Sequence, residues 1–484
     1  MRARCLRSAL VATLIAGFAI GGIVRAGDVQ VDLDPAIDLF GDQIEVIQGY
    51  NWGGEWALAF GIYDTGASVV TLSATDRAFF DLMGAPVPIK VPSGAVADAI
   101  DGVIVGDVSM PMTFWTDGLH AVSFSWDAGL GLDFNYDLTG GVTVPGVQVF
   151  VGTDTGSAQL PNIAGTPVHF GTIPPPGSAL PAAKVDMLGY EFDLGAFFAD
   201  DPTWASLFSG IVLYMPDLSF VAAGTRLAGI PGTTTDPVRI PLTLFGPENY
   251  ANPGNEVTVA PNPVQEQVSL GEALATVSNA VFLFDTGASI SVISTAIAQA
   301  LGFDLNSPET TIDIVGAAGS PITVPGFTVD WLALPIDTDF DGVVDGELRF
   351  TNAPVFVADL VEGLDGILGM NLWGWARELL YDPYDPLGPS LQATFLLNRE
   401  TLSPEEQEAL GSLAEANPLL GELFGISSGP LSFPRFEIQG GPTGGEVIPE
   451  PSTGCLLILG VAGLGLAWNR RRRTRERDIS ATSA

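Results

Sequence analysis

Short apolar runs separated by turn-forming residues dominate the chain. The runs are rich in Val, Ile, Thr and Phe, and Gly, Pro, Asn or Asp stands between them. Runs of this length and composition are typical of β-strands joined by tight turns. The pattern therefore predicts an all-β protein rather than a helical or disordered one.

Two of these runs enclose the same pentapeptide, DTGAS. ALAFGIYDTGASVVTLS contains it at residues 64–68, and NAVFLFDTGASISVIS contains it at residues 285–289. A repeated motif inside a repeated context indicates one supersecondary unit used twice. We therefore expect Asp64 and Asp285 to face each other across a pseudo-two-fold axis. Paired carboxylates that share one proton can activate water, so acid–base hydrolysis is the first hypothesis.

The flanking sequence extends the repeat and divides the chain. Each half continues to an apolar pair followed by glycine, Ile163-Ala164-Gly165 in the first and Ile367-Leu368-Gly369 in the second. The weakest connection between the halves is the cluster of turn formers at residues 247–255. We predict a bilobal protein with an N-terminal lobe over 27–247 and a C-terminal lobe over 248–398.

The first residues have the features of a secretory signal. Three arginines precede an apolar stretch, and residues 24–26 resemble a small-residue cleavage site. We predict a signal peptide over residues 1–26. An uncleaved membrane anchor is the alternative.

The end of the chain changes character after residue 398. Ser403, Pro404 and Glu406 indicate a helix over 404–416, within a linker or stalk over 399–448. Residues 449–484 then combine Pro-Glu-Pro, an apolar run over 454–468 and an arginine-rich tail. This order resembles the PEP-CTERM sorting signal.

That resemblance implies export to the cell envelope or beyond. The apolar helix would hold the chain in the inner membrane transiently, and a sorting protease would process the signal. Arginines after an apolar helix mark the cytoplasmic side and leave the bulk of the chain outside. An ordinary tail anchor is the alternative and would give the same topology.

Charge and cysteine content exclude several classes of function. The formal charge is −37, and because most arginines lie in the two ends, the middle of the chain is more acidic still. Nucleic acid is therefore excluded as a partner, since its binding requires a basic surface. Both cysteines, Cys5 and Cys455, lie in the terminal signals. The exported part has no disulfide and no catalytic thiol.

The two pentapeptides and their apolar-Gly partners resemble those of pepsin-like and retropepsin-like aspartic proteases. The resemblance covers about residues 30–398 and implies that Asp64 and Asp285 are the catalytic pair. It also implies hydrogen bonds from Thr65 and Thr286 between the turns beneath the pair. Two glycines support the site in the same family pattern, because they let backbone amides approach the carboxylates; they are Gly66 and Gly287.

Two departures bring the chain closer to retropepsins than to pepsins. The fourth motif position is alanine, Ala67 or Ala288, where pepsins usually have a hydroxyl that binds the aspartate. Loss of a donor to the ionised form makes the pair less acidic, so we expect a less extreme pH optimum than that of pepsin. The candidate flap segments, residues 91–99 and 315–323, contain small residues and glycine and no tyrosine.

Other constellations are weaker. A third Asp-Thr-Gly, at residues 154–156, follows a glycine and precedes a turn sequence, so we interpret it as a loop. The two histidines, His120 and His169, provide little material for a zinc site, and no GxSxG accompanies them.

One acidic segment resembles a calcium-binding loop. Asp337, Asp339, Asp341 and Asp345 occupy positions 1, 3, 5 and 9 of an EF-hand-like pattern, with glycine at position 6. The ligand at position 12 is missing, because Leu348 stands there. Either the loop holds a structural Ca²⁺ or it is an acidic hairpin turn.

The sequence as a whole favours an exported aspartic endopeptidase that cleaves polypeptides and needs no cofactor for catalysis. The rival interpretation is a catalytically silent protein of the same fold that serves in binding or in the matrix of an extracellular layer. A second rival is a protease that processes one dedicated partner.

Overall fold

The computed structural model describes residues 28–35, 38–54, 56–98, 102–127, 131–153, 160–174, 176–209, 211–229, 235–246, 257–315 and 321–395, and the backbone of 435–438. The predicted signal peptide, the helix at 404–416, the sorting signal, the third Asp-Thr-Gly and the proposed lobe boundary at 247–255 lie outside these residues.

The described part of the chain is mostly β-sheet, as the apolar pattern predicts. In chain order the strands are β1 Val29–Asp32, β2 Ile44–Asn51, β3 Trp56–Tyr63, β4 Thr71–Leu72, β5 Ile89–Asp98, β6 Gly102–Ser109, β7 Met112–Gly118, β8 Val122–Asp127, β9 Gly131–Tyr136, β10 Val142–Val147, β11 Phe150–Val151, β12 Ile163–Ala164, β13 Pro181–Asp193, β14 Ile211–Ala222, β15 Val238–Pro241, β16 Thr243–Phe245, β17 Asn262–Glu272, β18 Ala275–Phe284, β19 Val292–Ser294, β20 Thr310–Val315, β21 Pro321–Ile336, β22 Gly346–Ala358, β23 Gly366–Leu368, β24 Ala376–Asp382, β25 Ser390–Phe395 and β26 Arg435–Ile438. The helices are short: Ala74–Leu82, Pro167–Phe170, Leu194–Phe197, Pro202–Leu207, Thr295–Leu301 and Met370–Trp373, with a 3₁₀ turn at Leu119–Ala121.

The first nine-stranded sheet carries Asp64 at the end of β3. Its strand order is β10-β7-β2-β3-β12-β4-β11-β6-β5. The short β12 runs parallel to β3, with Ala164 opposite Tyr63, and antiparallel to β4, with Ile163 opposite Thr71. β11 in turn runs parallel to β4. The apolar pair of the first half therefore lies between the strands that flank the first pentapeptide.

The second nine-stranded sheet carries Asp285 at the end of β18. Along its main path the order is β1-β22-β19-β23-β18-β17-β21-β20. β23 runs parallel to β18, with Leu368 opposite Phe284, and antiparallel to β19, with Ile367 opposite Val292. β22 runs parallel to β19. The strand pairing around the second pentapeptide thus repeats the pairing around the first.

A third sheet of six strands combines both halves in the order β15-β25-β24-β13-β14-β26. Two strands that precede residue 247, β1 and β16, pair with β22 and β17 in the second sheet. β26, from the predicted stalk, pairs antiparallel with β14. The second and third sheets therefore each contain strands from before and after the proposed boundary.

Buried aromatic side chains join the second and third sheets behind Asp285. The ring of Trp373 lies edge-on to those of Phe284 and Phe350, with centroid distances of 5.5 Å and 5.6 Å. The ring centroids of Phe350 and Phe395 of β25 are 6.2 Å apart, and those of Tyr381 of β24 and Phe284 are 6.4 Å apart. Full burial of each large apolar side chain contributes on the order of 1.5–3 kcal/mol. This packing provides a rigid support for the strand that ends at Asp285.

A helix follows each pentapeptide after one short strand. Ser73 and Ser294 cap these helices by accepting from the backbone N–H of Asp76 (3.0 Å) and Ile297 (3.3 Å). A serine cap satisfies an N–H group that the first turn would otherwise leave unpaired. Gly302 ends the second helix in the left-handed conformation, at φ 89°. Among the described residues, no helix is long and apolar enough to cross a membrane.

Candidate active site

Asp64 and Asp285 both lie immediately after a buried strand, where the chain turns. The backbone N–H of Asp64 donates to the carbonyl oxygen of Ala164, and that of Asp285 donates to Leu368, each at 3.1 Å. The apolar pair of each half thus holds the aspartate at the end of its strand.

The two turns meet so closely that only glycine fits at their contact. A Cβ atom on Gly66 would lie 2.4 Å from Cγ of Asp285, and one on Gly287 would lie 2.3 Å from Cγ of Asp64. Both distances are far below a van der Waals contact. The structure therefore brings the two predicted aspartates together, with each glycine facing the aspartate of the other turn.

The two threonines connect the turns by four reciprocal hydrogen bonds. Thr65 Oγ1 donates to the carbonyl oxygen of Phe284 at 2.8 Å, and Thr286 Oγ1 donates to that of Tyr63 at 2.7 Å. Each hydroxyl also accepts from the backbone N–H of the other threonine at 3.1 Å. Both threonines are buried. Hydrogen bonds between such buried groups fix the relative position of the two carboxylates.

Backbone N–H groups donate to both carboxylates. Asp64 Oδ1 accepts from Ala67 at 2.9 Å. Asp285 Oδ1 accepts from Gly287 at 2.9 Å and from Ala288 at 3.0 Å. Donors of this kind stabilise the ionised form of a carboxylate and so lower its pKa.

Two stronger effects act in the opposite direction on Asp64. Removal from solvent raises the pKa of Asp64 well above its usual range, and the charge of Asp285 and a hydrogen bond with its carboxyl group act in the same direction. Two adjacent carboxylates ionise together only at a high energetic cost, so they hold one proton between them. The arrangement can therefore supply one base and one acid at the same time.

Gly165 and Gly369, which end the two apolar-Gly segments, are required because another part of the backbone passes very close to each of them. A Cβ atom on Gly165 would lie 2.1 Å from the carbonyl oxygen of Val69, and one on Gly369 would lie 2.0 Å from that of Ile290. These carbonyls belong to the chain that leaves each pentapeptide. Any larger residue at either glycine would push the apolar-Gly segment away from the chain that follows the pentapeptide.

Two polar residues near the turns were missed by sequence reasoning. Asn262 Nδ2 donates to the carbonyl oxygen of Gly66 at 2.7 Å, and Gln43 Nε2 donates to that of Gly287. Each lies near the start of the strand hairpin that leads to its own aspartate, a similar distance upstream in both halves. This shared spacing is the only signal in the sequence that could have indicated them.

The predicted flap segments lie in two hairpins, β5–β6 and β20–β21. Each hairpin follows the helix after its pentapeptide, so the two segments have corresponding places in the chain. Their tips, residues 99–101 and 316–320, lie outside the described residues.

The two histidines have different surroundings. His169 is fully buried, with Nε2 2.6 Å from Tyr63 Oη and Nδ1 3.2 Å from the carbonyl oxygen of Pro181. Burial lowers the pKa of His169 to about 4, so the ring is neutral near pH 7 and packs as part of the core. His120 is exposed, and its Nδ1 lies 2.9 Å from Asp217.

Three of the four predicted calcium ligands lie close together. Asp337, Asp339 and Asp345 each place a carboxylate oxygen within 4.8 Å of the others. Asp341 instead accepts from the backbone N–H of Val343 at 2.8 Å. Asp337 is buried, whereas Asp339 and Asp345 are exposed. Hard oxygen ligands at this spacing suit a divalent cation of the Ca²⁺ type.

Comparison with known proteins agrees with this site. Residues 267–372 match the family model described as aspartyl protease, and this segment contains Asp285. Residues 447–473 match the PEP-CTERM protein-sorting motif. The resemblance to an aspartic protease that carries a PEP-CTERM sorting signal is thereby confirmed. This signal indicates export and sorting to the cell envelope or the extracellular space.

Two solved structures are similar to the chain. One is a retropepsin-like aspartic protease from Rickettsia conorii, with 19% identity, a TM-score of 0.20, and coverage of 35% of this chain and 100% of that one. The other is the crystal structure of edgp, with 8% identity, a TM-score of 0.34, and coverage of 73% and 95%. No curated protein sequence matches the chain significantly.

Proposed function

We propose that the protein is an exported aspartic endopeptidase in which Asp64 and Asp285 form the catalytic dyad. The observation that supports this most directly is the contact between the two turns, where each glycine leaves room only for the other turn's aspartate. The reciprocal hydrogen bonds of Thr65 and Thr286 support the same conclusion.

In the proposed reaction the dyad binds a water molecule between its carboxyl oxygens. The ionised aspartate takes a proton from the water as the oxygen attacks the peptide carbonyl carbon. The protonated aspartate donates its proton to the carbonyl oxygen, which gives a neutral tetrahedral intermediate. Transfer of a proton to the amine nitrogen then allows the C–N bond to break. No metal or cofactor is required for these steps.

The proposed architecture is bilobal, with a pseudo-two-fold axis between the aspartates and one lobe on either side of residues 247/248. The repeated strand pairing around the two pentapeptides supports it. Substrate would lie across both turns, beneath the hairpins β5–β6 and β20–β21. Polypeptides are the proposed substrates.

A catalytically silent binding or matrix protein is the rival proposal. Two intact aspartates with a shared proton argue against it, because a binding surface has no need of two facing carboxylates. A protease dedicated to one partner remains compatible with the same site. The range of peptides cleaved distinguishes this enzyme from a general protease.

The sorting signal supports a route for this enzyme. We propose that the signal peptide at 1–26 starts export and that the apolar run at 454–468 holds the chain transiently in the inner membrane. A sorting protease would then act on the segment that begins at 449. The enzyme would work at the outer surface or beyond it.

We also propose that the loop carrying Asp337, Asp339, Asp341 and Asp345 holds a structural Ca²⁺ ion, with Asp337, Asp339 and Asp345, whose carboxylates lie together, as the ligands. Asp337 is already fixed beside Arg239, with Oδ2 3.8 Å from Nη1. Bound Ca²⁺ would therefore connect the loop to the third sheet and stabilise the fold rather than act in catalysis. Chelation should lower the melting temperature of protein purified with calcium. An unchanged melting temperature in chelator and in excess Ca²⁺ contradicts this proposal.

The proposed activity is tested with the purified chain and a mixed peptide library from pH 3 to 7, with and without a statine-type inhibitor. We expect cleavage that the inhibitor stops and that Asp64→Asn and Asp285→Asn each abolish. Cleavage that persists in both variants refutes the dyad. A folded parent chain that cleaves nothing favours the binding protein.

A further inference from the structure

Asn262 reaches from the second half of the chain to the first pentapeptide. Its Nδ2 atom donates to the carbonyl oxygen of Gly66 at 2.7 Å and to that of Thr65 at 3.1 Å. Asn262 is only 9% exposed, so water does not replace these bonds easily. Asn262 therefore holds the carbonyl side of the turn that carries Asp64.

That carbonyl belongs to the same peptide group as a donor to the dyad. The Gly66 carbonyl and the Ala67 N–H form one planar amide, and this N–H donates to Asp64 Oδ1 at 2.9 Å. Hydrogen bonds in series polarise one another, so an amide that accepts at its oxygen donates more strongly from its nitrogen. Asn262 thus acts on Asp64 through a single peptide group.

The other half contains the same arrangement in reverse. Gln43 Nε2 donates to the carbonyl oxygen of Gly287. The N–H of that peptide group belongs to Ala288 and donates to Asp285 Oδ1 at 3.0 Å. Each carboxylate is therefore supported by an amide side chain that comes from the other half of the chain.

Backbone hydrogen bonds fix the position of the two segments that carry Gln43 and Asn262, here called the two arms. Two residues before each amide, the N–H of Gly41 donates to the carbonyl oxygen of Ser289 at 2.7 Å, and that of Ala260 donates to Ser68 at 2.9 Å. Gly41 also has no room for a Cβ atom, which would lie 2.0 Å from the backbone of Met370. The two arms are thus equivalent in backbone contacts as well as in side-chain chemistry.

We propose that Gln43 and Asn262 are positioning residues that stabilise the ionised form of the dyad through the peptide groups behind it. This inference rests on the proposed function, since it concerns the same two aspartates. Ala67 and Ala288 have no hydroxyl to donate to the carboxylates. The amides strengthen the remaining backbone donors, and so they keep the dyad acidic.

The test compares near-isosteric variants without an amide, Asn262→Leu and Gln43→Met, with a matched control. Gln265→Met serves as the control, because Gln265 is a buried residue of the same strand as Asn262. Its Nε2 atom donates to the carbonyl oxygen of Pro241 at 3.0 Å. Its Oε1 atom accepts from the backbone N–H of Gln267 at 3.1 Å. The control therefore removes buried amide hydrogen bonds that have no connection to the dyad.

In Asn262→Leu and in Gln43→Met, we expect the pKa that defines the acid limb of the profile of kcat/KM against pH to rise by about 0.3 to 1 unit. The reason is that weakened donors destabilise the carboxylate. KM for a peptide at the pH optimum should change little, since each amide binds the carbonyl side of a peptide group whose N–H side faces the aspartate. The control should keep the parent's pH profile even where its melting temperature falls. A pH profile that is unchanged in both dyad variants overturns the inference, and so does an equal shift in the control.

Failure of the proposed function gives a different result. If the folded parent cleaves no peptide, titration of ¹³C-labelled aspartate carboxyls by NMR replaces the kinetic profile. Carboxyl pKa values that rise in Asn262→Leu and Gln43→Met, but not in Gln265→Met, support the positioning role without activity. Identical titration in all four proteins overturns it.

Discussion

Substitution of Thr286 by valine tests the connection between the two turns. Valine has nearly the same shape but removes the bond to the Tyr63 carbonyl at 2.7 Å and the acceptor for the Thr65 N–H at 3.1 Å. Each lost bond that leaves a buried group unpaired costs about 1–3 kcal/mol. Two such bonds give an expected loss of about 2–6 kcal/mol in the free energy of unfolding. The dyad geometry should loosen as well, with a fall in kcat.

A matched control separates this effect from the loss of any buried hydroxyl. Thr116 is also fully buried, and its Oγ1 donates to the carbonyl oxygen of Ile47 at 2.9 Å, away from the dyad. Thr116→Val should cost about half as much and leave kcat unchanged. Both quantities follow from urea unfolding by tryptophan fluorescence and from steady-state cleavage of one peptide. Equal destabilisation in the two variants, with full activity in Thr286→Val, would refute the reasoning.

Three further predictions concern single residues. Gly66→Ala should abolish cleavage in a peptide assay, because its Cβ would lie 2.4 Å from Cγ of Asp285; retention of normal kcat contradicts the close approach of the two turns. Ala67→Ser should add a hydroxyl donor beside Asp64 and move the pH optimum of cleavage downwards; an unchanged or higher optimum counts against it. Burial lowers the pKa of His169 to about 4, below the about 6.5 of an exposed histidine, so the unfolded chain takes up a proton first as the pH falls. This residue should therefore remove about 3 kcal/mol of stability between pH 7 and pH 4. His169→Phe should melt with a weaker pH dependence over that interval, and an identical dependence would show that the histidine contributes nothing.

The repeated pentapeptide made the candidate site accessible to sequence reasoning. Side-chain chemistry, a repeat and a family resemblance together indicate Asp64, Asp285 and the residues next to them. Alternation of apolar runs and turn formers correctly predicts a mostly β-sheet protein. These features are local, so they can be read along the chain.

Contacts between distant segments could not be predicted in the same way. β1 and β16 belong to the second sheet, and the third sheet takes strands from both halves. The composition of these strands does not indicate which sheet they join. Gln43 and Asn262 were missed for the same reason, because an amide in an apolar segment does not show which carbonyl it will bind. Such partners depend on register between strands far apart in sequence.

The pairing of β1 with β22 affects how the chain reaches its native state. The backbone N–H of Glu347 donates to a carboxylate oxygen of Asp28 at 3.0 Å, across a separation of 319 residues. β1, the first of the described strands, must therefore wait for this partner until synthesis has reached β22. Contacts of such high order slow folding, because a long loop has to close before they form. A polypeptide that completes its sheets this late stays unfolded longer, which suits translocation before folding.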